Sequence, residues 1–499
     1  MAAASTWDRP LTQMQLWLIC VVALALHILP LLMADHPFLD DYARQQLARN
    51  DWTDVGRPLM VVVFAALSFT SGAINLYPMP LLLAVLVTAL ALARLVRQWF
   101  AIPTLSGVLV VLPLWYQPYF LQNLSYQYDG ATMALSLAAV VWAITTDIRC
   151  WRYWLGGMLL IAAAAALYQP SMNVFVGLCG LEVMRRAMDE GRACDVWRHA
   201  ALRFGQLLAA VALYYASSAW MITSTRSSML TLDGHWLTAI RLRLHVTAEV
   251  VGLLITPGNA WLFVGLLLGA LLMLSRGLLR VWQRSLGAGE RLALMAAVLM
   301  PMVVILLCVP GLILLLRHFE DSVRVLMGLG VLLTLLHSLN HGALARWPRL
   351  RLLALAVPLL FMLSFSYAYG RVMALEKELH QANAQALAQD LSRPPLNDAR
   401  HYYVLDFWLE RPWIPAAEGT LKSMPAMAKI HAYNYVVLPE MLPRAGIDDL
   451  HTFYRPPPLD RQQVLAQGST PLVSSRLYDI YRVGDDVYVL INAPEGYGH

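Results

Sequence analysis

Long apolar runs separated by short polar loops constrain this sequence more than any other feature. A helix needs about 20 apolar residues to cross the hydrocarbon core of a bilayer, and runs near that length recur through the first three quarters of the chain. Only 14% of the residues are charged, against about 25% in an average soluble domain. The sequence therefore predicts a polytopic membrane protein, with eleven spans near residues 12–33, 76–96, 101–121, 130–147, 154–169, 171–187, 204–223, 257–275, 292–316, 323–339 and 349–367.

Arginine residues concentrate in alternate loops between these runs. Basic loops mark the cytoplasmic face of a membrane protein, so we expect a cytoplasmic N-terminus and an extracytoplasmic C-terminus. The cytoplasmic loops would be those that contain Arg94 and Arg97, Arg149 and Arg152, Arg185 to Arg198, Arg276 to Arg284, and Arg346 to Arg351. The outer loops would contain Asp40 and Asp41, Asp129, Tyr168 to Pro170, residues 223–257, and residues 317–321.

The apolar segment 58–69 is shorter than the other runs. If it crossed the bilayer, every later loop would change sides and the arginine pattern would invert. We therefore expect a re-entrant or interfacial helix that lies against the outer leaflet.

The chain changes character after residue 370. Residues 371–391 are typical of an amphipathic helix, residues 401–408 and 432–438 of strands, and residues 476–492 of a hairpin that turns at 484–486. The predicted fold is thus an all-α membrane domain over residues 1–370, with residues 34–75 as its first outer loop and interfacial helix. A small extracytoplasmic α/β domain follows over residues 371–499.

Several functional classes are excluded by missing motifs. The sequence contains no phosphate-cradling glycine loop, no dinucleotide fingerprint, no H-E-x-x-H motif and no cysteine pair with zinc-ligand spacing. Its basic residues do not form a stripe that suits nucleic acid, and we expect no nucleic-acid partner. A phosphate-bearing substrate should therefore come from the membrane itself.

The first outer loop contains two adjacent carboxylates, Asp40 and Asp41, in the stretch "LDDYARQQLA". Carboxylates are favourable in the first turn of a helix, so a capping role is one interpretation. The other is a base or a metal ligand at the membrane face, because ionisable residues at membrane depth are costly and tend to mark functional sites. Arg44 follows in the same short helix.

Arg57 lies in a rigid corner, "WTDVGRPL", in which Gly56 permits an unusual backbone angle and Pro58 fixes the next one. An arginine at an interface can simply extend its charged group into water. It can also clamp a phosphate, because its planar guanidinium forms two parallel hydrogen bonds.

Two further outer segments contain polar and aromatic residues at helix ends. In "YQYDG", Asp129 suits a helix cap, whereas Tyr126 and Tyr128 beside a carboxylate suit a sugar-binding surface. In "YQP", Tyr168 and Gln169 precede a proline, so Gln169 either caps a helix end or binds a hydroxyl group.

Arg324 is predicted to lie at the outer end of a span, in "RHFEDSVRVL". A charge inside a span is unfavourable unless it faces a partner, and a lipid phosphate is one such partner.

Together these motifs resemble the bacterial serotype-converting O-antigen glucosyltransferases, the type II glucosyl transferase family. The resemblance covers roughly residues 12–370 and is most specific in the paired aspartates followed by W-x-x-x-G-R-P-L. The matching residues are Asp40, Asp41, Trp52, Gly56, Arg57, Pro58, Leu59, Tyr126, Tyr128, Asp129, Gly130, Tyr168 and Gln169.

The resemblance implies a membrane-embedded GT-C glycosyltransferase of the bacterial inner membrane. Its donor would be a hexose, usually glucose, on a polyprenyl phosphate such as undecaprenyl phosphate, and its acceptor a lipid-linked O-antigen or similar glycan at the periplasmic face. Asp41 would act as the base, with Asp40 orienting it or binding the acceptor. Arg44, Arg57 and Arg324 would bind the donor phosphate, and the outer-loop residues Tyr126, Tyr128, Asp129, Tyr168 and Gln169 the sugar or acceptor.

Other interpretations stay open at this stage. A divalent metal ion held by the aspartates would fit the same chemistry. The acceptor can equally be lipid A or a protein, and a glycolipid transporter or flippase would share the general organisation. Few acidic residues are predicted at mid-span, however, where coupling sites of transporters usually lie.

Overall fold

The computed structural model describes residues 9–189, 191–223, 228–231, 234–319, 322–431, 433–448, 450–451, 457–467 and 470–497. The chain divides into two compact units. The first comprises Met1–Leu32 and Ala48–Tyr367, and the second comprises Met33–Leu47 and Ala368–His499. The short segment that carries the paired aspartates thus belongs to the same unit as the C-terminal part of the chain. Parts of two predicted outer loops, residues 224–227, 232–233 and 320–321, and one residue of the predicted strand 432–438, Ala432, lie outside the described residues.

The first unit is helical. Its helices are α1 (Gln13–Ala34), α3 (Pro58–Ser68), α4 (Met79–Trp99), α5 (Leu105–Val111), α6 (Pro113–Tyr116), α7 (Phe120–Ser125), α8 (Asp129–Ile144), α9 (Trp151–Leu167), α10 (Ser171–Met188), α11 (Ala193–Ser218), α12 (Trp236–Gly252), α13 (Ala260–Gln283), α14 (Ala288–Cys308), α15 (Gly328–Ala343) and the first half of α16 (Pro348–Leu391). Helix α2 (Asp40–Leu47) lies in the second unit.

Five of the described helices are long and apolar enough to cross a membrane: α1, α4, α13, α14 and α16. Shorter apolar helices occupy three of the six remaining predicted spans, 101–121, 130–147 and 154–169. A mostly helical membrane protein is thus confirmed, whereas the number of eleven spans stays a prediction.

The predicted span 101–121 differs from the structure, which breaks it into α5, α6 and the start of α7. The breaks fall at Pro113 and Pro118. Proline has no backbone N–H and clashes with the preceding turn, so an apolar run that contains two prolines does not stay one helix. The predicted span 323–339 also begins later, because α15 starts at Gly328.

Helix α3 occupies the short apolar segment after the G-R-P corner. Its 11 residues extend about 16 Å at 1.5 Å per residue, which is about half the thickness of a bilayer core. A helix of this length cannot span, in agreement with the predicted interfacial or re-entrant role, which itself stays a prediction.

The second unit combines helices with a small sheet. Its strands are β1 (His401–Leu405), β2 (Trp408–Leu409), β3 (Asn434–Tyr435), β4 (Leu450–His451), β5 (Val473–Ser474), β6 (Tyr478–Val483) and β7 (Asp486–Ile491), and its other helices are α17 (Glu418–Ser423), α18 (Ala426–Ile430) and α19 (Arg461–Gln467). Five strands form one sheet in the order β4-β1-β7-β6-β5. The predicted hairpin is confirmed: β6 and β7 pair antiparallel across Gly484, whose φ is +65°.

Each face of this sheet buries side chains against a helix. Val404 of β1 packs with Leu387 and Leu391 at the end of α16, whereas its neighbour Leu405 packs with Val464 of α19. Successive side chains of a strand point to opposite faces, so the apolar pattern of β1 reflects burial on both sides.

Candidate active site

The G-R-P corner is built on a glycine in a left-handed conformation. Gly56 ends a 3-10 turn, Asp51–Val55, with a φ of +75°, a region that side-chain-bearing residues rarely adopt. A Cβ at Gly56 would lie 2.5 Å from the hydroxyl oxygen of Tyr214. Pro58 then opens α3 at its first position, where its missing N–H costs nothing. Arg57 is thereby fixed between a tight turn and a helix start.

Arg57 contacts a buried carboxylate at the start of α8. Its Nη1 lies 3.7 Å from Oδ2 of Asp129, and the two side chains are 18% and 7% exposed. The other carboxylate oxygen of Asp129 accepts a 2.7 Å hydrogen bond from the indole Nε1 of Trp52, which is itself buried. Asp129 therefore joins the segment before α3, which contains Trp52 and Arg57, to α8.

Gln169 holds the same corner from the end of α9. Its Nε2 donates to the backbone oxygens of Val55 (3.0 Å) and Gly56 (3.2 Å), and its Oε1 accepts from Nε of Arg57 (3.4 Å). Tyr214 of α11 also donates to the oxygen of Gly56, at 2.9 Å. Gln169 thus positions Arg57, and its predicted role in sugar binding stays a prediction.

Tyr168 connects Arg57 to Arg324. The guanidinium carbon of Arg57 lies 4.8 Å from the centre of the Tyr168 ring, and the Tyr168 hydroxyl donates to the backbone oxygen of Arg324 at 3.1 Å. Nη1 of Arg324 donates to the hydroxyl of Tyr126 at 2.7 Å, and its backbone N–H donates to Oε1 of Gln122. Arg324 lies in a short 3-10 turn before α15 and not within a helical span. Both arginines are half-buried.

Tyr128 and Gly130 complete the segment before α8. Tyr128 is buried, and its ring stacks on Phe64 of α3, which stacks on Trp52. A Cβ at Gly130 would lie 2.9 Å from the backbone oxygen of Asn123, so the glycine of the "YDG" motif is required by close backbone packing.

The paired aspartates and Arg44 belong to the second unit. They lie on α2, where Asp41 is 1% exposed and its Oδ2 accepts a 2.8 Å hydrogen bond from the backbone N–H of Phe38. A side chain that reaches back to a backbone N–H three residues earlier is a helix-capping contact. Asp40 and Arg44 are partly exposed. The predicted capping role is thus observed for Asp41, and the catalytic assignment of the pair stays a prediction.

Seven of the ten predicted site residues therefore lie in one unit. Six of the seven join in one network: Arg57, Tyr126, Asp129, Tyr168, Gln169 and Arg324. Tyr214 and Gln122 also make hydrogen bonds to this network, but they were not singled out from the sequence, since a polar residue on an apolar helix has no local signature.

Among the described residues, the group with metal-ligand spacing is His36, Glu376 and His380. The aspartate pair is not part of this group.

These features define a helical membrane protein with two half-buried arginines, a buried carboxylate and several tyrosines at helix ends. The sequence model of the family described as "Glucosyl transferase GtrII" matches residues 29–335, about three fifths of the chain. The chain therefore belongs to the GtrII glucosyl transferase family, and the predicted resemblance is confirmed. All ten predicted site residues fall within the matched range.

A curated relative supports the same grouping. The "Uncharacterized 55.3 kDa protein in gtrB 5'region" of Salmonella phage P22 is 29% identical to this chain over 154 residues, which is 30% of this chain and 31% of the relative. The match thus spans about a third of that relative's length. No solved structure matches this chain.

Proposed function

We propose that this protein transfers a hexose from a polyprenyl-phosphate donor to O-antigen or a related cell-surface glycan at the periplasmic face of the inner membrane. Membership of a glucosyl transferase family supports the type of reaction and favours glucose as the hexose. The observation that carries the choice of donor is the presence of two half-buried arginines in the helical unit, Arg57 and Arg324. Tyr168 contacts the guanidinium group of Arg57 and the backbone oxygen of Arg324.

The arginine pair suits a phosphate that is attached to a lipid. A guanidinium binds phosphate oxygens through a planar fork, and both groups here are oriented by neighbouring side chains. Asp129 balances part of the charge of Arg57 at 3.7 Å, so the arginine is held before a substrate arrives. Preorganised donors of this kind stabilise charge that develops in a transition state.

The proposed reaction is a single substitution at the anomeric carbon. The acceptor hydroxyl forms the new carbon–oxygen bond while its proton passes to a carboxylate of the Asp40–Asp41 pair, with Asp41 as the predicted base. The bond between the anomeric carbon and the phosphate oxygen breaks, and its electron pair stays on the polyprenyl phosphate. The arginines then neutralise the leaving group, with Arg44 as a further proposed contact. The tyrosines Tyr126 and Tyr128 are proposed to contact the sugar or acceptor.

Glycan analysis of cells with and without this gene tests the proposed function. We expect a hexose side branch on the O-antigen only in cells that express the protein, as measured by mass spectrometry of the released polysaccharide. A new hexose on lipid A or on a protein would identify that molecule, and not the O-antigen, as the acceptor. Unchanged glycans with altered glycolipid translocation would contradict a transferase and support a transporter.

The arginine pair predicts a specific sensitivity. Arg57→Lys and Arg324→Lys keep the charge but lose the bidentate fork, so we expect a roughly tenfold or larger loss of transfer in membranes. The matched control is Arg280→Lys, an exposed position near the end of α13, which should retain full activity. Equal activity of all three variants at equal protein level would reject the phosphate assignment.

A further inference from the structure

A cluster of histidines around one glutamate lies in the second unit, apart from the proposed transfer network. Glu376 and His380 occupy α16 four residues apart, so both side chains lie on one face of the helix. His36 comes from the segment between α1 and α2, and His431 directly follows α18. All four side chains are buried, between 1% and 6% exposed.

The atoms of this cluster are spaced as metal ligands are. One ligand atom each of His36, Glu376 and His380 lies within 4.8 Å of the other two. Nε2 of His36 is 3.6 Å from Oε2 of Glu376, and Nδ1 of His431 is 3.0 Å from the same oxygen. Two ligands of a tetrahedral zinc ion, each about 2.0–2.1 Å from the metal, are about 3.4 Å apart, so these distances are close to those required.

The cluster also lacks the hydrogen bonds that buried polar groups normally make. Nδ1 of His36 and Nδ1 of His380 are buried and make no hydrogen bond among the described residues. A buried polar atom without such a bond is costly, and a buried carboxylate needs a compensating positive charge. Lys377 is the nearest lysine along the chain, but its ammonium group donates to the backbone oxygens of Ala34 and Asp35.

Neighbouring aromatic rings hold two of the imidazoles in place. The ring of His380 is fixed by stacking on Tyr435, with 4.3 Å between the ring centres, and the ring of Tyr369 packs 5.1 Å from that of His431. Neutral imidazole and carboxylate together suit zinc and similar first-row metals.

We propose that His36, Glu376 and His380 bind a zinc ion. His431 contacts the glutamate carboxylate without binding the metal itself. Hydrogen-bonding partners of this kind orient a metal ligand and are a regular part of metal sites. His36 precedes Asp40 by four residues, and Tyr42 of α2 is buried in the same core as Leu387 of α16. The zinc ion would therefore fasten the segment that contains the paired aspartates to the C-terminal part of the chain.

Metal analysis of the full-length protein tests this site independently of transfer activity. The protein is purified in detergent through a tag without histidines, incubated with zinc sulfate, desalted and measured by plasma mass spectrometry. We expect about one zinc per chain for the natural sequence and a loss of at least fivefold for His36→Ala and His380→Ala. His401→Ala is the matched control, because His401 lies in β1 of the same unit outside the cluster, and it should keep the zinc.

A second measurement covers variants that fail to fold. Removal of zinc from the natural protein with phenanthroline should lower its thermal unfolding midpoint, and added zinc should restore it, because a ligand that binds only the folded state stabilises it. Less than a tenth of a zinc per chain after incubation, or stoichiometric zinc in a folded His380→Ala variant, would overturn the proposal. A hydrogen-bonded glutamate–histidine cluster without metal would then be the interpretation. Neither readout depends on hexose transfer.

Discussion

At the scale of single residues, Gly56 determines where Arg57 is held. Its φ is +75°, and an added Cβ would lie only 2.5 Å from the Tyr214 hydroxyl, so there is no room for a side chain. We expect Gly56→Ala to cost about 1–3 kcal/mol of stability and to lower hexose transfer, as measured by thermal unfolding in detergent and by a membrane assay.

Gly205→Ala is the control for this substitution. Gly205 lies within α11, and a Cβ there would meet no atom within 4 Å. Alanine favours a helix over glycine by up to about 1 kcal/mol, so this variant should be as stable as the natural protein or slightly more stable. Equal behaviour of the two variants would show that the corner is not under steric constraint.

The sequence was sufficient to single out the candidate site residues, but it did not indicate which of them contact each other. The carboxylates, the G-R-P corner and the "YDG" segment each have a local pattern. The contact of Arg57 with Asp129 and the hydrogen bond from Gln169 to Gly56 join positions 72 and 113 residues apart, and no local pattern records such pairs. The contact between His36 and Glu376 likewise joins positions that are far apart in the sequence. The only local signal of that cluster is the four-residue spacing of Glu376 and His380.

At the scale of elements, the end of α16 packs against one face of the C-terminal sheet. Leu387 is fully buried in the core that covers one face of that sheet. We expect Leu387→Ala to destabilise the protein by about 2–5 kcal/mol. Leu465→Ala, on α19 and 47% exposed, should change stability by less than about 0.5 kcal/mol. Thermal unfolding combined with limited proteolysis would measure both, and equal effects would argue against this core.

Helices and the hairpin were predictable from the sequence because their signals are local. Apolar run length predicted the helices, and glycine between two β-rich stretches predicted the turn at Gly484. The predictions failed where two local signals conflict, as in residues 101–121, where Pro113 and Pro118 override apolar composition. Strands as short as β3 and β4, of two residues each, depend on tertiary pairing and have no period to detect.

At the scale of the whole molecule, the arginine pattern predicts which cysteines face the cytoplasm. Cys150 directly precedes α9 and Cys194 lies in the first turn of α11, both close to the arginines that mark predicted cytoplasmic loops. All five cysteines are free. A membrane-impermeant maleimide should not label the natural protein in intact spheroplasts but should label it after permeabilisation. Glu495→Cys, at an exposed position of the C-terminal unit, should be labelled without permeabilisation. The reverse pattern would invert the predicted topology.

The central claim is that the sugar comes from a lipid phosphate and not from a soluble nucleotide. The most direct measurement uses the purified protein in lipid vesicles with a glycan acceptor and radiolabelled glucose, supplied either on undecaprenyl phosphate or on UDP. We predict transfer to the acceptor from the lipid donor alone, and a loss of that transfer in Asp40→Asn or Asp41→Asn but not in Arg280→Lys. Direct transfer from UDP-glucose, or full activity of both aspartate variants, would contradict it.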